Sequence, residues 1–448
     1  MKKYKPLVFI YLVSVVSAAV ASILGVDVQT LYRVPFLSIR WIDVGILWII
    51  GYYIYDLNNN YNIIKRNGFI VLLMFIYLIF ETFQLVRTWG SIDLNSQVSH
   101  FLCTLNFFIL IDLCTFRIDR EEILPALKLL ALTAAGALVI VNLVTFYSVL
   151  SGRTIITDGN TRIGLNTPGQ SESIYITVIN AYVYAFGLYF IQHQSKYWEK
   201  LLFVTAIMSM FLSLVFSFAR GDLFTVFMIS VIYIVVFSKQ VVQIFIQAFT
   251  LATLLVAFYL VFGSTLRAKG YDPVEKIVET VTFALDVDNP DWDKGRSLSR
   301  AYATDSWNKH VWTGVGYDAL YNHGGDLEIG TAHNFIITSL FHRGIIGTSI
   351  YLLIVVLLFR NSIKLWFLLR RENSYENDMY KLLIISSFFW LVPFWNQEVI
   401  WEKYSLSIEF IYLGIITNVY LQKRKQQAET LKATRLQRYR PNTPVVHN

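Results

Sequence analysis

Residues 345–359 read Ile-Ile-Gly-Thr-Ser-Ile-Tyr-Leu-Leu-Ile-Val-Val-Leu-Leu-Phe, without one charged side chain. The run has no alternation of apolar and polar positions, so it is not a barrel strand. Arg360 and Lys364 follow it directly, and a polar, aromatic-rich segment precedes it. An apolar stretch closed by basic residues is the pattern of a helix that crosses a bilayer and ends on its cytoplasmic side.

The pattern recurs along the chain. About twelve apolar segments qualify: Leu7–Leu24, Phe36–Tyr55, Gly68–Val86, Val98–Phe116, Ile123–Leu150, Ser173–Gln192, Leu201–Phe218, Leu223–Phe237, Val241–Phe262, Ile345–Phe359, Leu382–Val399 and Leu406–Leu421. The composition agrees: of 448 residues, 55% are hydrophobic and only 15% are charged. A soluble domain carries about 25% charged residues, and this chain could not cover itself with polar surface. The net charge of +7 is then a topology signal, and nucleic acid is not an expected partner. Cys103 and Cys114, eleven residues apart on one expected helix, lie about 16 Å from each other, too far for a disulfide. The expected fold is an all-α polytopic membrane protein with about 12 transmembrane helices and a long extracytoplasmic loop between helices 9 and 10.

With the N-terminus inside, the loops holding Lys65 and Arg66, Arg117 and Arg120, Lys196 and Lys200, Lys239, and Arg360 to Arg371 all fall on the cytoplasmic side. Both termini are then cytoplasmic, and the expected location is a bacterial cytoplasmic (inner) membrane. The chain divides into helices 1–9 (1–262), an extracytoplasmic cap (263–344), helices 10–12 (345–421) and a basic tail (422–448). The cap is too long for an ordinary connection. Its Trp292, Trp307, Trp312, Tyr302, Tyr317 and Tyr321 imply folded structure with short helices, for example Ser299–His310.

Ionisable residues inside spans are costly and default to functional roles. Asp43, Glu81 and Glu409 fall in the outer half of the membrane on this topology. They suggest a polar cavity opening outward; the alternative is a set of interhelical ion pairs. Arg220 lies in Ser217-Phe218-Ala219-Arg220-Gly221-Asp222, a tight hairpin between two spans. The cap then carries Gly295-Arg296, Gly314-Val315-Gly316, His333-Asn334 and Arg343-Gly344-Ile345-Ile346-Gly347 in that order.

This order resembles the O-antigen ligase and Wzy-type polymerase superfamily. In that superfamily an arginine between two helices precedes a long external loop with "GR", "GVG", "HN" and "GxxG" elements. His342 stands where the family often has an acidic residue, and Ala219 where it usually has serine. The resemblance implies a glycan transferase with a polyprenyl-diphosphate-linked donor, arginines on the diphosphate, histidine near the acceptor, and inversion at the anomeric carbon.

The residue chemistry leads the same way. No nucleotide sugar or ATP is present outside the membrane, so the donor arrives already activated on a lipid. Arg220 and Arg296 can hold phosphate oxygens in bidentate geometry and stabilise the leaving diphosphate without a metal. His333 has the acid–base range to deprotonate an acceptor hydroxyl. Asn334, Gly314 and Gly316 join these as substrate-binding candidates, and Asp43, Glu81, Glu409 and His342 as supporting ones. No cofactor or metal is expected; Asp286-Val287-Asp288 looks like a metal motif, but short matches of that kind are common by chance. The expected function is polymerisation of lipid-linked repeat units into O-antigen, capsule or exopolysaccharide. The alternatives are a ligase passing glycan to lipid A core, protein or wall polymer, and a polysaccharide or ion-coupled transporter. A chain-length regulator and a flippase are candidate partners beside the lipid bilayer.

Overall fold

The computed structural model describes residues 68–88, 108–150, 182–191, 196–217, 294–316, 334–370, 374–389 and 405–438, together with shorter pieces between 47 and 55, at 105, at 156–157 and 162–163, between 228 and 233, between 249 and 268, and at 372. These are almost entirely helical. The main helices are α1 (Gly68–Arg87), α2 (Arg120–Leu150), α3 (Tyr182–Ile191), α4 (Tyr197–Ser217), α5 (Lys294–Lys309), α6 (Phe335–Leu369), α7 (Tyr375–Phe389) and α8 (Ser405–Arg438). A minimal antiparallel pair, β1 (Ile156–Thr157) with β2 (Arg162–Ile163), is registered Ile156 to Ile163.

Three helices among the described residues are long and apolar enough to cross a bilayer: Phe69–Arg87, Glu121–Ile140 and Phe335–Leu369. The protein is therefore a helical membrane protein. Several expected spans, Leu7–Leu24 among them, lie outside the described residues. Several helices run past the bounds expected from hydropathy; α7 begins at Tyr375, seven residues before Leu382. α6 begins at Phe335, ten residues before the apolar run. α8 continues to Arg438, beyond the apolar stretch that ends at Leu421. Helical geometry needs only local backbone bonds, so polar residues extend a helix that an apolar segment has already nucleated. The cap helix α5 starts at Lys294, five residues before the expected Ser299.

α2 packs along α4, where Lys128 pairs with Glu199 at 2.8 Å. Burial opposes the charge on Glu199, but hydrogen bonds from Lys128 and from the Lys196 amide outweigh it and hold the carboxyl below its usual range. α8 lies against α6, α7 and the turn that precedes α2. That turn is a π-helix, Leu113–Arg117, closed by Ile118 N–H to Leu113 C=O at 3.3 Å. A π-turn leaves carbonyls without their α-helical donors. Asn418 of α8 supplies them: its Nδ2 donates to the carbonyls of Cys114 and Ile118, each at 2.9 Å. Gly414, one turn earlier, permits the approach, since a Cβ there would stand 2.6 Å from Cys114 Cβ.

Candidate functional site

The stretch Arg343–Gly347 opens a break in α6. Gly344 has φ 60 and ψ −166 inside an otherwise continuous helix. That backbone favours glycine, and the space demands it too, because a Cβ would collide with the Trp312 carbonyl and the Gly314 amide. A break of this kind frees backbone groups that lipid cannot satisfy. Residues 311–316 satisfy them. Val315 and Gly316 donate to the carbonyls of Phe341 (2.7 Å) and His342 (3.0 Å), and the amides of Ile345 and Ile346 donate to Val311 (2.9 Å) and Trp312 (3.1 Å). Gly314 (φ 69) and Gly316 (φ 103) give the loop its shape. The two glycine motifs thus form one clasp, in which a loop is spliced into a broken helix.

α1 holds the clasp from the side. Its residues 81, 84 and 87 recur every three positions, so they share roughly one face of the helix. Glu81 Oε1 accepts from Arg343 Nε at 2.6 Å, with the two side chains 0% and 3% exposed. Gln84 Nε2 donates to the Thr313 carbonyl. Arg87 reaches Thr313 Oγ1 at 2.6 Å and the Gly314 carbonyl at 2.8 Å. Gly347 lets Phe80 of α1 against α6, since a Cβ would strike its ring. His342 is buried, and its Nδ1 donates to the Gly316 carbonyl at 2.8 Å. Asn334 caps α6 by accepting from the Ile337 amide at 3.1 Å. The cap helix α5 rests on the short arm of α6 through Ala303, Tyr302 and Phe341.

The structure therefore brings Glu81, Gly314, Gly316, His342 and Gly344 into one assembly, with Asn334 at the start of the short arm. Arg220, His333 and Asp43 lie outside the described residues. The backbones of Arg296 and Glu409 are helical, in α5 and α8, and their side chains lie outside the described set. Sequence reasoning missed Gln84, Arg87 and Thr313, and treated Arg343 only as a flank of the glycine motif. The polar spacing Glu81, Gln84, Arg87 on an apolar helix was the available signal.

Residues 204–352 match the O-antigen ligase family. No curated protein matches the chain. The match to the O-antigen ligase family takes in Arg220, Arg296, Gly314–Gly316, His333 with Asn334, and Gly344–Gly347, the residues that carry the resemblance. It also contains both halves of the clasp. The strip on α1 that grips the clasp lies outside it.

Proposed function

We propose that this protein is a membrane glycosyltransferase that joins polyprenyl-diphosphate-linked oligosaccharide units on the outer face of the cytoplasmic membrane. Arg220 and Arg296 bind the donor diphosphate and stabilise it as it leaves. His333 takes the proton of the acceptor hydroxyl, which attacks the anomeric carbon with inversion; Asn334, Gly314 and Gly316 border the substrate. Guanidinium groups supply the positive charge, so no metal is required. One observation carries this reading: the O-antigen ligase match runs continuously from before Arg220 to beyond the break at Gly344. It thereby joins the candidate chemistry to a cap loop bonded into a membrane helix.

A second reading has a specific support of its own. The matched family is described as O-antigen ligase, and a ligase uses the same donor with a different acceptor. Deletion followed by glycan length analysis separates the two. Single repeat units left on lipid or core mark a lost polymerase, whereas complete chains stranded on the carrier mark a lost ligase. Arg220→Ala, Arg296→Ala and His333→Ala are each expected to abolish product while protein level stays normal. Full product from all three overturns the catalytic assignment, and inhibition of the purified enzyme by EDTA overturns the metal-free mechanism.

A further inference from the structure

The two described cap tryptophans are treated differently. Trp307 is partly buried, and its indole N–H donates to the Val311 carbonyl at 3.2 Å. Trp312, five residues on, is 66% exposed. Its backbone is nonetheless fixed, because its carbonyl accepts the Ile346 amide at the helix break. Ile345 and Ile346, joined to the same turn, are also exposed, Ile346 at 42%. An exposed indole on a pinned backbone, on a turn bonded to two exposed isoleucines, is a surface suited to an apolar neighbour.

The long arm of α6 identifies that neighbour. Besides Ile345, its exposed apolar residues are Ile346, Leu353, Val356, Ile363 and Phe367. Their steps of seven, three, seven and four place them on one helical face. From Ile346 to Phe367 the face runs about 32 Å, close to the roughly 30 Å of bilayer hydrocarbon. Arg360 and Lys364 are exposed toward its far end, about 21 and 27 Å from Ile346, where long side chains can snorkel to the opposite headgroups. Trp312 stands at the near end of this stripe. That is headgroup depth, where the amphipathic indole is most at home.

We propose that Trp312, with Ile345 and Ile346, docks the clasp onto the boundary between phospholipid headgroups and acyl chains. The bilayer itself is the partner, and the contact sets the depth at which the spliced loop sits. This assignment is independent of the catalytic reading, since it uses only the clasp and the apolar face of α6.

The test is a nitroxide label introduced by Trp312→Cys or Ile346→Cys in a Cys103→Ser, Cys114→Ser background, in phospholipid nanodiscs. Power saturation is expected to show oxygen colliding more than a water-soluble nickel chelate at both sites, more strongly at position 346. Nickel collisions at position 312 as frequent as at a Lys309→Cys label overturn the proposal. So does screening from both reagents, which means that protein covers the site. A second measurement needs no cysteine: the fluorescence difference between wild type and Trp312→Phe is expected to be lost in lipids brominated close to the headgroup. A difference that ignores brominated lipid and responds only to added oligosaccharide marks a sugar platform instead, and overturns the lipid assignment.

Discussion

Among the described residues, two helical segments depart from α geometry, and they are repaired by different means. At Leu113–Arg117 the helix widens into a π-turn, and one side-chain amide, Asn418, satisfies two carbonyls. At Gly344 the helix breaks outright, and four backbone bonds to residues 311–316 are needed. A widened turn loses little alignment, so a single donor from a neighbouring helix is enough. A break displaces groups on both sides of it, and only another stretch of backbone carries donors and acceptors at matching intervals. The first repair is local to one helix pair. The second binds the cap to the membrane domain.

The largest expected effect tests the break. Gly344→Ala should unfold the clasp or prevent its formation, because the added Cβ meets the Trp312 carbonyl and the backbone conformation is strained. Detergent-solubilised protein should show a clear fall in Tm and rapid proteolysis within 294–316. A wild-type Tm would mean that the break does not depend on glycine.

Next comes the buried pair. Glu81→Leu or Arg343→Leu alone should each cost about 3–5 kcal/mol, since each takes the 2.6 Å ion-pair partner from a buried charge. The double variant should be markedly less damaged than the sum of the two. Additive losses in thermal unfolding would show that the pair is not coupled.

Asn418→Leu should cost less, about 1–3 kcal/mol for carbonyls left without a donor. Its faster hydrogen exchange should be confined to residues near 113–118. Exchange rising also at 311–316 would erase the distinction between local and long-range repair.

The smallest effect lies away from both. Glu372 accepts from Lys423 Nζ at 2.7 Å, and that bond chiefly holds its carboxyl below the usual range, with Asn377 helping. A depressed carboxyl contributes stability above its unfolded pKa of about 4.3, and loses it as pH falls through the folded value. Lys423→Met should therefore reduce stability slightly at pH 7, and by progressively less as the pH falls below about 4, as read by unfolding across that range.

Much of this was legible in the residues. The apolar runs located α1, α2 and α4 within a few positions, and the glycine motifs at Gly314, Gly316, Gly344 and Gly347 marked the segments that meet in the clasp. Their partnership was not legible, because a backbone splice leaves no side-chain signature: Val315, Phe341 and Ile345 use only N–H and C=O groups that every residue has. Glu81 was marked as an acid in an apolar run, and in the structure it pairs with Arg343 of another helix. Its partner sat in the wrong category, since Arg343 reads as the end of a loop until α6 is seen to begin at Phe335. The extension of α8 to Arg438 was hidden for a similar reason, because hydropathy measures what lipid accepts and helices do not stop where lipid does.

The Glu81–Arg343 contact spans 262 positions. A ribosome adding about 5–20 residues per second needs roughly 13–50 seconds to deliver the arginine after the glutamate. Throughout that interval the arginine that pairs with this acid in the folded protein has yet to be made. Closure of the clasp is thus a late event in biogenesis, timed by translation.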